Sequence, residues 1–225
     1  MAYQIGTGLI YDSFKKNCEC PLCEIRTIIE EQFLHEFLND AVMEDGTRAK
    51  VNKLGFCVRH FDMLFTRQNK LSVALQVGTR LSTIYKNLPE ISSVKQAQKV
   101  AETISEMEKT CIICDLVNES MEKYYVTIPQ MYKKEEDFRR LLPKTKGVCL
   151  HHYGELLKHA KLAGSYAEEF IALLSKLERE NLTRLKGELQ WFCDKHDYRN
   201  AHLPLGEAET VLPRLRTKLY TKKTK

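Results

Sequence analysis

The chain has 225 residues, of which 43% are hydrophobic and 29% are charged, a balance that is ordinary for a globular protein. Its formal net charge of +5 is too small to indicate nucleic-acid binding by itself. No apolar run approaches the roughly 18 residues that a membrane-spanning helix needs, and residues 1–12 lack the basic region of a secretory signal. We therefore expect a soluble protein of the cytoplasm, where thiols stay reduced.

A duplicated pattern of cysteines and histidines dominates the sequence. The segment CPLC at 20–23 and the segment GFCVRH at 55–60 return as CIIC at 111–114 and GVCLHH at 147–152. The offset is 91 residues between Cys20 and Cys111, and 92 residues between Cys57 and Cys149. This near-constant offset indicates an internal duplication in which each copy carries three thiols and one imidazole.

Each copy holds a CxxC followed by a CxxH, which is the ligand set of a four-coordinate Cys3His zinc site. We predict one site within each repeat, the first formed by Cys20, Cys23, Cys57 and His60 and the second by Cys111, Cys114, Cys149 and His152. His152 is preferred to His151 because positions three apart lie on the same side of a helix and because His152 aligns with His60. Two Zn²⁺ ions per chain are the predicted cofactors, and an iron–sulfur cluster on the same residues is the alternative.

Apolar residues recur at helical spacing along most of the chain, and no convincing alternation predicts a strand. Helices are predicted near 21–40, 57–65, 71–88, 112–126, 135–142, 149–162, 165–196 and 207–220. Residues 1–19 and the polar segment around 44–47 are predicted to lie outside helices, with a break at Pro129. The stripe from Tyr166 to Phe192 predicts a long amphipathic helix whose apolar side is a packing face.

The predicted fold is all-α, with two homologous helical halves, each pinned by a Cys3His metal site. The first repeat is predicted to span 1–90, a partly helical connecting segment 91–110, and the second repeat, with the long helix and a basic tail, 111–225. The basic residues of this tail follow Glu209 with no further acid: Arg214, Arg216, Lys218, Lys222, Lys223 and Lys225. We expect a solvated end, and a contact with nucleic-acid phosphates is the alternative.

Three further residues share the ligand chemistry without completing a site. Cys18 lies two residues before Cys20, and we interpret it as a bystander thiol rather than a resolving one. Cys193 and His196 repeat the CxxH spacing, but no third CxxC accompanies them. We predict no metal site there.

The sequence contains no Gly-rich phosphate loop, no His-Glu-x-x-His motif and no serine nucleophile elbow. A closed four-ligand zinc site is usually structural, because catalytic zinc keeps one position open. The sequence therefore favours a non-enzymatic scaffold or interaction module, which binds a protein partner that the sequence does not identify. A thiol-redox or iron–sulfur protein and a metal carrier or sensor are the alternatives.

The chain resembles a family of small bacterial proteins, found mainly in anaerobic Gram-positive organisms and known only as a domain of unknown function. The resemblance covers nearly the whole chain and lies in CECPLC at 18–23, GFC at 55–57 with His60, residues 69–75, Cys111 with Cys114, KGVC at 146–149 with His152, and WF at 191–192 leading to DYR at 197–199. The family usually has an aromatic residue at His196, often lacks a cysteine at Cys193, and has Phe where this chain has Val148. The resemblance implies no activity.

Overall fold

The computed structural model describes residues 6–39 and 44–220. Within these residues the protein consists of α-helices, short 3-10 helices and loops, without a β-strand. The prediction of an all-α fold is confirmed. In this part of the chain we find no helix with the length and apolar character needed to cross a membrane.

The described residues form eleven α-helices. They are α1 (Thr7–Phe14), α2 (Pro21–Leu38), α3 (Asp45–Leu54), α4 (Val58–Phe65), α5 (Lys70–Asn87), α6 (Val94–Glu108), α7 (Ile112–Lys134), α8 (Glu136–Leu141), α9 (Leu150–His159), α10 (Ala167–Asp194) and α11 (Val211–Leu219). Short 3-10 helices span Leu142–Lys144, Ala160–Tyr166, Tyr198–Asn200 and Gly206–Thr210.

Local chemistry explains where several helices begin. Pro21 occupies the first position of α2, where its missing N–H costs no hydrogen bond. The Asn69 side chain caps α5 by accepting from the Ser72 N–H at 3.3 Å, and Ser93 caps α6 in the same way. These caps satisfy backbone donors that a helix leaves unpaired at its start.

Two helices, α1 and α3, lie where the sequence predicts none. In α1, Ile10 and Phe14 are buried, and the Phe14 ring meets the edge of Phe138 at 5.3 Å between centroids. In α3 the one buried residue is Val51, so this helix carries no apolar stripe that a periodicity argument could detect. Its stability comes from packing against α5.

The predicted break at Pro129 is wrong, because α7 continues through it to Lys134. Proline removes one backbone N–H and weakens a helix interior. Ile128, Met131 and Tyr132, on both sides of Pro129, are almost completely buried. Burial of this segment compensates for the lost hydrogen bond, which is a tertiary effect that local sequence rules do not contain.

The long C-terminal helix is confirmed as α10. Phe170, Leu174, Leu177 and Leu185 of the predicted stripe are buried. The Phe170 ring packs against Tyr132 of α7, with 5.0 Å between ring centroids. The stripe is therefore a packing face, as predicted.

The chain forms two compact units that interleave along the sequence. The described residues of the first unit are 6–27 and 121–220, and those of the second unit are 28–39 and 44–120. Helices α2 and α7 each begin in one unit and end in the other. The units thus cut across the predicted repeats 1–90 and 111–225, since each unit takes residues from both.

Candidate metal centres

The first centre consists of Cys20, Cys23, Cys149 and His152, all in the first unit. Their ligand atoms lie within 4.8 Å of one another. The His152 Nδ1 atom is 3.2 Å from the sulfurs of Cys20 and Cys149 and 3.6 Å from that of Cys23. The Cys23 and Cys149 sulfurs are 3.7 Å apart.

The second centre consists of Cys57, His60, Cys111 and Cys114, all in the second unit. The His60 Nδ1 atom is 3.2, 3.3 and 3.4 Å from the sulfurs of Cys111, Cys57 and Cys114. The Cys57 and Cys114 sulfurs are 3.8 Å apart. The two centres therefore have the same ligand set in nearly the same geometry.

The pairing of the ligands differs from the one that the sequence predicts. The first centre joins the CxxC of the first repeat to the CxxH of the second, and the second centre makes the reverse combination. The spacings do not distinguish the two pairings, because both repeats carry the same motifs at almost the same separation. A tertiary contact favours the observed pairing. The carbonyl of Gly55, two residues before Cys57, accepts the Ile112 N–H at 3.0 Å, and this bond holds the loop against the start of α7.

The distances within both centres fit a single four-coordinate ion. With Zn–S bonds of about 2.3 Å, two sulfurs of a tetrahedron lie about 3.8 Å apart. The observed sulfur–sulfur distances of 3.7 and 3.8 Å match this edge. Both centres could hold a metal ion.

In each centre, ionisation of one cysteine opposes ionisation of a neighbouring one. In the second centre, a hydrogen bond from Cys114 lowers the pKa of Cys111 to about 3, whereas the same bond raises the pKa of Cys114. In the first centre, a hydrogen bond from Cys20 lowers the pKa of Cys149, while burial raises the pKa of Cys20. One thiolate is favoured in each centre, and its charge opposes ionisation of its neighbours. A bound divalent cation removes this conflict, because it replaces the remaining protons.

A tight turn delivers the CxxH part of each centre. Gly55 and Gly147 have φ angles of 64° and 68°, a region that residues with a Cβ rarely adopt. Two residues later, Cys57 and Cys149 stand at the N-caps of α4 and α9. The histidine three residues on then lies in the first helical turn, on the same side as the cysteine.

In the second centre, a carboxylate contacts the histidine nitrogen that is not near the sulfurs. The His60 Nε2 atom is 3.0 Å from Glu30 Oε1, and Glu30 also accepts from Arg59 at 2.6 Å. Burial opposes ionisation of Glu30, but the hydrogen bonds from His60 and Arg59 prevail and hold its pKa at about 2. An ionised Glu30 fixes the proton of His60 on Nε2 and leaves Nδ1 free for a metal.

In the first centre, the histidine has no such carboxylate. His152 Nε2 is buried and has no hydrogen-bond partner in the described part of the chain. The offset of 91 places Met121 where Glu30 stands in the other repeat, and the offset of 92 places His151 where Arg59 stands. The Tyr125 ring packs near His152, with 5.8 Å between ring centroids.

The loop of the first centre is instead held by Lys218 of α11. Lys218 is fully buried, and its Nζ donates to the carbonyls of Lys146 and Val148 at 2.6 and 2.8 Å. Glu178 of α10 lies 3.7 Å from the same Nζ. These contacts fix the backbone on both sides of Gly147, immediately before Cys149.

A buried carboxylate also anchors the start of α2 beside Cys20. Glu19 is almost completely buried and pairs with Arg184 at 2.7 Å, Arg214 at 3.5 Å and Lys146 at 3.8 Å. The expectation that the basic tail is a solvated end is therefore wrong for Arg214 and Lys218, which take part in packing. Lys222, Lys223 and Lys225 lie outside the described residues.

The remaining thiols and histidines lie outside both centres. Cys18 is half-buried and Cys193 is exposed, and neither joins a group of ligands within the described residues. His196 is exposed and packs on Phe192, with 5.5 Å between ring centroids. The group of Cys20, Cys23 and Cys149 contains His152 and not His151.

Sequence reasoning missed Glu30 and Lys218. Glu30 lies seven residues after Cys23 on α2, but Cys23 belongs to the other centre, so this spacing gives no signal for the contact of Glu30 with His60. Lys218 gives no signal either, because one lysine in a basic segment is indistinguishable from its exposed neighbours until the helix is docked.

Comparison with known proteins gives one family and one relative of similar length. Residues 1–225 match DUF6062, a family of unknown function. An uncharacterized 23.9 kDa protein in the xynA 3′ region of Caldicellulosiruptor sp. (strain Rt8B.4) is 21% identical over 201 residues, which cover 85% of this chain and 89% of that protein. No solved structure matches significantly.

Proposed function

The chain belongs to DUF6062, a family of unknown function, and we propose that it is a non-enzymatic helical protein that two zinc ions stabilise and that serves as a scaffold or interaction module. The observation that carries this proposal is the pair of closed centres, each with three cysteines and one histidine around one point. A metal held by four protein ligands has no open position for substrate or water, which favours a structural role.

Zinc is the proposed metal at Cys20, Cys23, Cys149 and His152, and at Cys57, His60, Cys111 and Cys114. Three thiolates and one imidazole are a common zinc ligand set. The sulfur–sulfur distances of 3.7 and 3.8 Å favour a single ion. An iron–sulfur cluster places several iron and sulfide atoms between its cysteines, so it requires a wider separation of the sulfurs.

The described thiols also fit a reducing compartment. The eight cysteines form no disulfide. A cytoplasmic location, where thiols stay reduced, is part of this proposal. The partner of the scaffold is an unidentified protein, and nucleic acid is a weaker candidate because Arg214 and Lys218 already have partners within the fold.

Elemental analysis tests the metal assignment. The protein is purified without air and without a metal-chelating tag, and its metals and visible spectrum are measured. The proposal expects about two zinc ions per chain, one for each four-ligand centre, and no colour. Iron with sulfide and broad visible absorption would instead indicate an iron–sulfur protein.

Thiol labelling tests the redox alternative. In the zinc-loaded protein, an alkylating agent should modify Cys193 and Cys18 but leave the other cysteines protected, because metal coordination masks thiolates. Rapid modification of Cys20, Cys23, Cys111 or Cys114 in the same preparation would contradict a closed zinc site. It would favour the dithiol chemistry of a redox protein.

A further inference from the structure

The second unit contains a cavity that no metal centre explains. Its volume is about 940 Å³, within the range of small-molecule binding sites. Helices α5 and α6 form its long sides, and the segment 56–58 forms one wall. Because Cys57 belongs to this wall, the cavity reaches one side of the second centre.

The cavity is elongated. The lining residues of α5 and of α6 follow the three- and four-residue spacing of a single helix face, from Arg80 to Asn87 and from Gln96 to Met107. At 1.5 Å per residue, the α6 stripe extends for about 16 Å. This shape suits a linear chain better than a compact ring.

The walls of the cavity present apolar groups to solvent. Val58, Leu88 and Ile104 are 73%, 57% and 45% exposed, and α6 has no buried residue. Single exposed apolar residues are normal, but a contiguous apolar surface around a concave space is typical of a binding site. An apolar ligand would remove this surface from water.

One half-buried cation marks a polar position in the cavity. The Arg80 guanidinium donates through Nη1 to the Asn52 carbonyl at 2.8 Å, and it lies against the backbone of Gly55. Within residues 6–39 and 44–220 its hydrogen bonds leave from Nη1 alone, to the carbonyls of Val51 and Asn52, so Nε and Nη2 have no acceptor there. The other charged lining residues, Glu90, Lys99 and Glu108, are exposed, so water screens their charges.

We propose that this cavity binds a linear amphiphilic carboxylate, with its carboxylate on Nε and Nη2 of Arg80 and its alkyl chain along the facing stripes of α5 and α6. A guanidinium with two free N–H groups matches the two oxygens of a carboxylate. The apolar stripes match an alkyl chain. This site is independent of the metal assignment, since it requires only that the second unit is folded.

The test is calorimetric titration of the zinc-loaded protein with decanoate, decanol and decylammonium, each below its micelle concentration. We expect saturable binding of one decanoate per chain. Decanol should bind about tenfold more weakly because it lacks the charge-assisted hydrogen bonds, and decylammonium should bind more weakly still. Methyl resonances of Ile84, Ile104 and Met107 should shift when decanoate is added.

Two variants locate the site. Arg80→Gln should reduce decanoate affinity to that of decanol while leaving decanol affinity unchanged, a distinction that general damage to the fold would not produce. Val100→Trp should fill the cavity and abolish binding of both ligands. Glu102→Trp is the matched control, because position 102 is two residues from both Val100 and Ile104 on α6 and therefore points elsewhere. Zinc content equal to that of the parent verifies folding.

Three results would overturn the proposal. They are absence of saturable decanoate binding, equal affinity for the three decyl compounds, and decanoate binding by Val100→Trp equal to that of the parent. If ultracentrifugation also shows a dimer that the Val100→Trp substitution disrupts, the groove serves a second copy of the chain rather than a carboxylate.

Discussion

The two metal centres have the same ligands but different supporting contacts. In the second centre a carboxylate, Glu30, holds the ligand histidine. In the first centre His152 Nε2 has no partner among the described residues, and a buried lysine instead holds the loop before Cys149. The two centres thus share the same cysteine and histidine set, while the contacts that position these residues differ.

This difference has an energetic consequence. A carboxylate on a ligand histidine fixes its tautomer and increases its basicity, which strengthens the metal bond directly. The hydrogen bonds of Lys218 hold the backbone of the loop before Cys149, so they affect metal binding only through the position of that cysteine. We therefore expect the second centre to depend on one hydrogen bond to its histidine, and the first centre to depend on the docking of α11.

Removal of a ligand should have the largest effect. Cys57→Ser should release the ion of the second centre and Cys149→Ser that of the first, and each variant should retain one zinc. A structural zinc ion contributes on the order of 10 kcal/mol to the free energy of folding. The unit that loses its ion should therefore no longer melt cooperatively. Circular dichroism during heating, with zinc analysis, measures both effects.

Cys193→Ser is the control for this comparison, because Cys193 is exposed and lies outside both centres. It should retain two zinc ions and the melting temperature of the parent. Unchanged melting of both Cys57→Ser and Cys149→Ser would show that the centres do not stabilise the fold.

Replacement of the buried lysine should have the next largest effect. Lys218→Met leaves the Lys146 and Val148 carbonyls without their donor and leaves Glu178 buried without a cation. Breaking such a buried pair costs about 3–5 kcal/mol, which denaturant unfolding at a fixed zinc concentration would measure. Zinc affinity should fall at the first centre and not at the second.

The matched control for Lys218→Met is Arg216→Met, in the same helix but exposed. Its unfolding free energy should change by less than about 0.5 kcal/mol. If both substitutions have equal effects, α11 contributes only general packing, and Lys218 has no specific role at the first centre.

Loss of the carboxylate behind the histidine should have the smallest effect. Glu30→Gln retains the shape of the side chain but loses its charge, and we expect zinc affinity at the second centre to fall by roughly 10- to 100-fold. Competition with a chromophoric chelator would resolve the two centres. Glu31→Gln, at an exposed position that pairs with Arg67, should leave both affinities unchanged.

A fall in affinity at the first centre upon Glu30→Gln would contradict the assignment of Glu30 to the second. Equal affinities at both centres in the variant and the parent would mean that the hydrogen bond to His60 does not tune the metal.

Local sequence rules predicted most of the helices and the residues that gather at the centres. Pro21 and Asn69 mark the starts of α2 and α5, and apolar periodicity marks α10. The repeated motifs identified the eight residues that gather in the two groups, because three thiols and one imidazole at fixed spacing are rare by chance. These signals are local, so they can be read from the sequence without knowledge of the packing.

The remaining features depend on packing that local signals do not encode. Helix α3 buries only Val51, so its sequence resembles a polar loop. Lys218 can donate to the loop at Gly147 only because α11 packs against that loop. The crossing of the ligands between repeats was not predictable for a similar reason, since two equal repeats allow either pairing and only long-range contacts select one.

The most direct test of the crossed centres is alkylation of Cys57→Ser under native conditions, mapped by peptide mass spectrometry. If Cys57 shares its ion with Cys111 and Cys114, these two thiols should become reactive while Cys20, Cys23 and Cys149 stay protected. Reactivity of Cys20 and Cys23, with Cys111 and Cys114 protected, would contradict the crossed pairing and restore one site within each repeat.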